Sequence, residues 1–167
     1  MKTNICIYGL NEQFVKKIAK RVSDKFEMFF VDVDALIEFD LINTQMVEEV
    51  CGREYLEKLE RKKVKQSATF ENTLVSLRFS LLNDEANKAV LDENCLMVYI
   101  KLDEESYEKK LSKDKKEKLN RILNLAVFNE RDKVLESYAD ISVDCSGLNV
   151  YAATRKILDK IYDHYEV

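Results

Sequence analysis

The sequence predicts an α/β protein with three layers, in which helices cover both faces of a five-stranded parallel sheet. Two observations carry this prediction. Five short apolar runs are separated by segments with helical periodicity, the order typical of successive β-α-β units. The runs are continuously apolar rather than alternating, as expected for strands that are buried on both faces. The length of 167 residues indicates a single domain, 1–167, that buries a substantial core.

The predicted elements follow one another along the chain. Strands are expected at the five apolar runs, Asn4–Tyr8, Met28–Val31, Thr73–Leu77, Leu96–Ile100 and Ile141–Asp144. Recurring apolar residues at helical spacing predict the helices between and after them, at Gln13–Lys25, Asp34–Phe39, Met46–Ser67, Asn83–Asp92, Glu104–Leu111, Lys115–Tyr138 and Asn149–Tyr165.

The first and last helices show this periodicity most clearly. In the first, Phe14, Ile18 and Val22 recur every four residues, which places them on one face. In the last, the expected inner face is formed by Val150, Thr154, Ile157, Leu158 and Ile161.

Composition excludes several classes of function. The formal net charge is −4 and the pI is about 5.3, which argues against a general nucleic-acid binder, since phosphate contacts need a basic surface. No apolar run approaches the roughly 20 residues that span a bilayer, and the N-terminus enters a strand without a signal peptide. We therefore expect a cytoplasmic protein that binds neither nucleic acid nor membrane.

The cysteines do not suggest a metal centre. There are four, they form no C-x-x-C pair, and His164 is the only histidine. Zinc sites need closely spaced cysteine and histidine ligands. We expect all four cysteines to be free and to lie in or near the core.

The stretch "GLNEQFVKK" follows the first strand and precedes the first helix, the setting of a phosphate-binding P-loop, G-x-x-x-x-G-K-[ST]. Gly9 fits the first position. Phe14, Val15 and Lys16 stand where the second glycine, the lysine and the hydroxyl residue are required.

Other candidate site residues follow from topology. Ligands of open α/β sheets bind at the carboxyl ends of the strands. The candidate site is therefore built from four segments, Gly9–Lys17, Asp32–Asp34, Arg78–Ser80 and the lysine-rich Glu108–Lys118.

Several motifs together resemble one family. "FFVDVDALIE", "VCGREYLEKLE" and "ERDKVLESYADISVDCSGLN" are similar to motifs of the shikimate kinases, which are small P-loop kinases with a five-stranded parallel sheet. Aligning Asp32 and Asp34 on the acidic motif places Gly9 on the P-loop without a gap. Aligning Tyr99 on the fourth strand places Arg78–Ser80 on the family's glycine triplet.

For the nucleotide, the resemblance implies a degenerate loop. Gly9, Lys16 and Lys17 occupy nucleotide-binding positions, with Lys16 a weak catalytic candidate because Val15 replaces the P-loop lysine. Asp32 matches the residue that supports Mg²⁺ through water. Mg²⁺ and ATP are therefore expected cofactors only if the family activity survives.

For the substrate, the resemblance implies that Asp34 contacts a shikimate hydroxyl and assists proton transfer. Arg131 matches one of the arginines that clamp the shikimate carboxylate, whereas Glu57 stands where another is expected. Arg78 either binds an anion or pairs with Asp34.

Structural alternatives stay open for these residues. Asp at the end of a strand and before a helix is also a good N-cap, which applies to Asp32 and Asp34. Arg53 and Arg61 lie one turn either side of Glu57, so they either restore the clamp or form salt bridges within their helix.

The lid expected over the phosphates is altered as well. The region around 108–125 is shorter than in the family, and its one local arginine motif, Arg121–Asn124, lies inside a helical pattern. The lysine-rich stretch is read either as a mobile lid or as a solvated polar surface.

Three hypotheses follow from this resemblance. The first is a catalytically impaired relative that retains the scaffold, with a possible but unidentified protein partner. The second is an authentic, divergent shikimate kinase that uses Lys16 or Lys17 with Arg78 and Arg131. The third is a kinase or binder of another small anionic metabolite, held by Arg78, Arg131 and Asp34.

Overall fold

The computed structural model describes residues 1–111 and 115–166, with the backbone alone for residues 115–124. Its strands are β1 (Asn4–Gly9), β2 (Phe29–Asp32), β3 (Thr73–Ser76), β4 (Cys95–Lys101) and β5 (Ile141–Asp144). All pair in parallel within one sheet, in the order β2-β3-β1-β4-β5. The predicted α/β class with a five-stranded parallel sheet is confirmed.

The helices connect and cover these strands. In chain order they are α1 (Glu12–Lys25), α2 (Val33–Leu41), α3 (Thr44–Cys51), α4 (Arg53–Thr69), α5 (Phe79–Leu82), α6 (Glu85–Asn94), α7 (Glu104–Lys109), α8 (Lys115–Ser137) and α9 (Val150–Tyr165). The short helix α5 was missed by sequence analysis, because four residues are too few to show helical periodicity.

The long helix predicted over Met46–Ser67 is wrong, because the chain breaks at Gly52. This residue has φ 89° and ψ 159°, a conformation that is essentially restricted to glycine. It ends α3 and precedes α4. The apolar periodicity on both sides of the break concealed it in the sequence.

Side-chain caps begin most of the helices. An Asn or Asp oxygen accepts a backbone N–H of the first turn in six of them, which satisfies one of the donors that a helix start leaves unpaired. These caps are Asn11 for α1, Asp32 for α2, Asn43 for α3, Asp84 for α6, Asp103 for α7 and Asn149 for α9.

The core lies on both faces of the sheet. Successive strand residues point to opposite faces. Thus Ile5 and Ile7 of β1 pack with α1 and α9, whereas Cys6 and Tyr8 pack with residues of α4, α6 and α8 on the other face. This arrangement is the predicted three-layer order, and it leaves the carboxyl ends of the strands at one edge.

The cysteines only partly match expectation. All four are free, and Cys6, Cys95 and Cys145 are buried. Cys51 is exposed at the end of α3, so its expected place in or near the core is wrong. Burial raises the pKa of the Cys145 thiol to about 11, which keeps it protonated and unreactive at neutral pH.

Among the described residues, no helix combines the length and the apolar character needed to cross a bilayer.

Candidate functional site

The connection between β1 and α1 is short and differs from a phosphate-binding loop. Only Leu10 and Asn11 separate the strand from the helix, which begins at Glu12. The Asn11 side-chain oxygen accepts the Phe14 N–H at 3.0 Å, and its backbone oxygen accepts the Val15 N–H at 3.0 Å. The N–H groups of both residues are therefore used to begin the helix.

Phe14 and Val15 belong to the core. Both side chains are buried and pack in the cluster between the sheet and α1 and α9. From the sequence, Phe14 was also expected on the apolar face of this helix, whereas Val15 was considered only as a replacement for the P-loop lysine. Their spacing with Ile18 on the buried face of α1 was the signal for a core role.

Gly9 is held in a narrow space. A Cβ atom added there would lie 2.9 Å from the backbone oxygen of Ile100 and 2.9 Å from Cγ2 of Val15. Both distances are shorter than ordinary van der Waals contacts. Strand packing therefore accounts for glycine at this position without any bound phosphate.

The lysines after this connection are not equivalent. Lys16 Nζ lies 3.2 Å from Oδ2 of Asp32, whereas Lys17 is exposed. Asp32 also caps α2, since its Oδ1 accepts the Ala35 N–H at 3.2 Å. The N-cap reading of Asp32 is thus observed, and both of its oxygens have partners.

Asp34 lies in the first turn of α2 and is paired with Arg78. It is buried, and its Oδ1 accepts the Arg78 guanidinium Nη1 at 2.6 Å while Oδ2 accepts the Arg78 backbone N–H at 2.9 Å. The guanidinium also donates to Glu60 through Nη2 at 3.1 Å and to the Ser80 hydroxyl at 2.8 Å. The ion pair between Arg78 and Asp34 is therefore one of the two roles predicted for this arginine.

Glu60 was not identified from the sequence as a site residue. It lies on α4, and its carboxylate completes a bridge in which one arginine joins α2, α4 and the end of β3. The signal available in the sequence was its place one turn after Glu57, on the helix that carries the expected arginine clamp.

Arg131 lies beside Phe79 rather than beside Asp34. Its guanidinium carbon is 4.8 Å from the centre of the Phe79 ring, a cation–π geometry. Because Phe79 directly follows Arg78, the predicted substrate residues do come to one region. Asp34 and Arg78 contact each other there, whereas Arg131 contacts the neighbouring Phe79 ring.

Arg53 and Arg61 do not restore the missing clamp. Arg53 pairs with Glu57 at 3.1 Å, as the salt-bridge alternative predicted. Arg61 pairs with Asp84 of the α6 cap at 2.7 Å, so its predicted pairing within α4 is wrong. These charges border a cavity of about 270 Å³ whose lining mixes both signs and includes Arg53, Arg61, Arg78, Glu57, Glu60 and Asp84.

Lys110 approaches α1 from the other side. Its Nζ lies 4.0 Å from the centre of the Phe14 ring and donates to the Leu148 backbone oxygen at 3.2 Å. Lys110 is thereby tied to the residue that replaces the second P-loop glycine. Residues 112–124 of the predicted lid, which include Arg121–Asn124, lie outside the residues whose side chains are described.

The described residues contain no group of three or more His, Cys, Asp or Glu side chains arranged to hold a metal ion. Asp32, the residue expected to support Mg²⁺, is instead paired with Lys16. The nearby Glu12 carboxyl is partly desolvated and faces Asp34, which together raise its pKa, although Lys16 and Arg78 oppose the shift.

The raised pKa of Glu12 predicts that the effect of replacing this residue on thermal stability depends on pH. A carboxyl with a raised pKa favours folding while protonated, so this contribution is complete below its unfolded pKa and is lost as the pH rises. Gln stays neutral. We expect Glu12→Gln to raise Tm at pH 7 by only about 1–2 °C, because the Glu12 side chain as a whole is exposed and solvent screens most of the interactions of its partly desolvated carboxyl. The gain should vanish near pH 3.5, about one unit below the ordinary value for glutamate. Thermal unfolding of the variant and of the unaltered chain at both pH values measures this difference. A lower Tm for Glu12→Gln than for the unaltered chain at pH 7 would contradict the prediction.

The comparisons with known proteins agree on one family. The shikimate kinase family model matches residues 16–162, so the matched region contains Asp32, Asp34, Arg78 and Arg131 and begins just after Val15. A curated relative, the shikimate kinase of Xylella fastidiosa (strain 9a5c), is 21% identical, with 98% of this chain and 94% of that protein covered.

Solved structures share the fold. The crystal structure of shikimate kinase from Aquifex aeolicus vf5 superposes with a TM-score of 0.77 at 24% identity, covering 98% of each chain. Shikimate kinase from Acinetobacter baumannii in complex with shikimate superposes with a TM-score of 0.75 at 14% identity, covering 100% of this chain and 97% of that one. The structural likeness supports the fold, and the family model covers most of the sequence. The chain therefore belongs to the shikimate kinase family.

Proposed function

We propose that this chain is a shikimate kinase relative that does not transfer a phosphoryl group from ATP. The observation that carries the proposal is the start of α1. The Phe14 N–H donates to the Asn11 side chain, at the position where a P-loop presents free backbone N–H groups to phosphate oxygens. Helical residues from Glu12 onward stand where that loop would surround the phosphates.

The side chains support the same conclusion. P-loop phosphoryl transfer uses a lysine on the phosphates and a hydroxyl on Mg²⁺. Val15, at the lysine position, is buried in the core. Lys16 is turned roughly 100° from it around the helix, is paired with Asp32, and carries no oxygen for a metal. These residues do not fit Mg-ATP as the family binds it.

The substrate side is also altered. The resemblance assigns a shikimate hydroxyl to Asp34, yet both carboxylate oxygens of Asp34 accept bonds from Arg78. A substrate hydroxyl would have to displace a charge-assisted bond, which is about twice as strong as a neutral one. Glu57 adds a negative charge where the family places an arginine. The scaffold is therefore retained for a role other than shikimate phosphorylation.

A second candidate function is the binding of a small anionic metabolite without phosphorylation. Arg131 favours it, because its guanidinium stacks on Phe79 and has no carboxylate partner among the side chains that the structure describes. A guanidinium in that state can still bind a carboxylate or phosphate bidentately. Shikimate itself, which carries one carboxylate, is the first ligand to test.

Nucleotide titration tests the main proposal. We expect Mg-ATP and Mg-ADP at millimolar concentration to leave Tm unchanged and to give no heat in calorimetry. A ligand at 100 times its Kd would stabilise the protein by about 2.7 kcal/mol. The Aquifex aeolicus shikimate kinase serves as the positive control under identical conditions. Saturable, Mg²⁺-dependent binding that Lys16→Ala removes and Lys25→Ala preserves would contradict the proposal and favour a divergent kinase.

The second candidate is tested with shikimate alone. If Arg131 binds an anion, shikimate raises Tm, Arg131→Ala abolishes the shift, and Lys133→Ala on the same helix keeps it. An equal shift in both variants would contradict a role for Arg131. A shift that appears only with ATP present would favour a kinase instead.

A further inference from the structure

An apolar surface lies exposed on α2, on α3 and on the connection between them. Its side chains are Phe39, Ile42, Met46 and Val50, which are 82%, 90%, 61% and 74% exposed. We call these four residues the α2–α3 surface. Helix α3 has no buried residue, although an amphipathic helix this short gains most of its stability by packing its apolar side. Among the residues that the structure describes, none covers the α2–α3 surface.

The backbone at Ile42 is strained in a way that exposes this surface. Ile42 has φ 60° and ψ −49°, and the Asn43 N–H donates to the Leu41 oxygen at 2.5 Å around it. This is a γ-turn with positive φ, a rare and strained conformation that is an outlier for a β-branched residue. Glycine would relieve the strain, and the isoleucine side chain is not buried by any residue that the structure describes.

The segment that carries the α2–α3 surface is acidic, although Lys63 and Arg53 of α4 pair with Asp40 and Glu48. Residues 26–52 include seven acidic and no basic residues. Within the described part of the chain, neither Glu38 nor Glu49 forms an ion pair. Glu38 lies one turn before Ile42, and Glu49 lies three residues after Met46, so each is a neighbour of an exposed apolar side chain.

We infer that the α2–α3 surface docks a basic amphipathic helix of another protein. The apolar face of such a helix would cover Ile42 and Met46, in the helix-in-groove manner, and its lysines or arginines would meet Glu38 and Glu49. A second copy of this chain is a poor occupant through the same surface, because a two-fold contact brings identical patches together and would oppose like charges. The inference is independent of nucleotide binding.

The test uses the full chain and a designed probe. The probe is a fluorescently labelled Leu/Lys amphipathic peptide of about 18 residues, long enough to form a helix on binding. Its matched control has every Lys replaced by Glu. Fluorescence anisotropy should show saturable binding of the Leu/Lys peptide, weakened by added salt, and roughly tenfold weaker binding of the Leu/Glu peptide.

Two sets of variants separate docking from a folding defect. Ile42→Gly and Met46→Ala should each weaken binding roughly fivefold, while Ile42→Gly raises Tm because it relieves the γ-turn. Glu38→Lys with Glu49→Lys should reverse the preference between the two peptides. Phe70→Ala, at another exposed aromatic residue, should leave binding unchanged.

Several results would overturn the inference. These are equal binding of the two peptides, loss of binding in Phe70→Ala that matches the loss in Met46→Ala, and unchanged binding in Ile42→Gly. A dimer seen by light scattering and abolished by Met46→Ala would assign the surface to a second copy. Sedimentation with phosphatidylcholine vesicles that depends on Ile42 would assign it to a lipid surface.

Discussion

Replacing Arg78 by alanine is expected to lower the free energy of unfolding by about 2–3 kcal/mol, because it leaves carboxylates without their counter-charge. The Arg78 guanidinium bridges Asp34 and Glu60, whose side chains are 11% and 14% exposed. We place the loss below that of a fully buried pair because the Arg78 side chain itself is 34% exposed, and solvent screens part of the interaction.

Urea denaturation with a matched arginine variant measures this effect. Arg53→Ala is the control, because the Arg53 side chain is 79% exposed and its partners Glu57 and Glu48 are 41% and 44% exposed. It should leave the free energy of unfolding nearly unchanged, because solvent screens this surface ion pair. A double variant with Asp34→Ala should lose less than the sum of the single losses, since the two residues interact directly. Equal losses in Arg78→Ala and Arg53→Ala would contradict the prediction.

Replacing Gly9 by alanine is expected to cost about 2–3 kcal/mol of stability through overpacking. The added methyl group would meet the Ile100 backbone oxygen and the Val15 side chain, each at 2.9 Å. The Ile100 oxygen belongs to β4, which pairs with β1 along its whole length, so it cannot move aside without disturbing the sheet.

A mutant cycle with Val15→Ala apportions this cost. Shortening Val15 removes one of the two close contacts and leaves the contact with the backbone oxygen. The loss of stability in the double variant should therefore be roughly 1 kcal/mol smaller than the sum of the two single losses. The rest of the Gly9→Ala loss should remain. A neutral Gly9→Ala would show that β1 and β4 can separate locally. It would also weaken the argument that packing alone accounts for this glycine.

Both predictions concern residues that sequence analysis placed in the site. Gly9 stands on the first P-loop glycine and Arg78 on the glycine triplet, and in this structure each has a structural partner. If the expected losses are found, stability accounts for both residues without a bound nucleotide or substrate. This outcome supports the proposed non-catalytic role, which the nucleotide titration tests directly.

The sequence by itself determined the layers and the family. The five apolar runs became the five strands because apolar runs and helical spacing are local patterns that do not depend on a partner's position. The expected burial on both faces holds for β1, β3 and β4, whereas β2 and β5 are partly exposed because they form the edges of the sheet. The aspartates of "DVD" were also placed correctly between a strand and a helix, since a strand end followed by a helix start is local information. The break at Gly52 was missed because the same apolar spacing continues on both sides of it.

Only the tertiary structure decided which charges meet. Arg78 and Asp34 are 44 residues apart in the chain, Lys110 and Phe14 still further, and their contacts depend on how β-α units are placed around the sheet. The burial of Phe14 and Val15, the pairing of Arg61 with Asp84 and the exposure of α3 are likewise set by packing between distant segments. Packing of this kind leaves no periodic signal in the sequence, so residue types identified the candidate site and three-dimensional contacts showed how its charges are used.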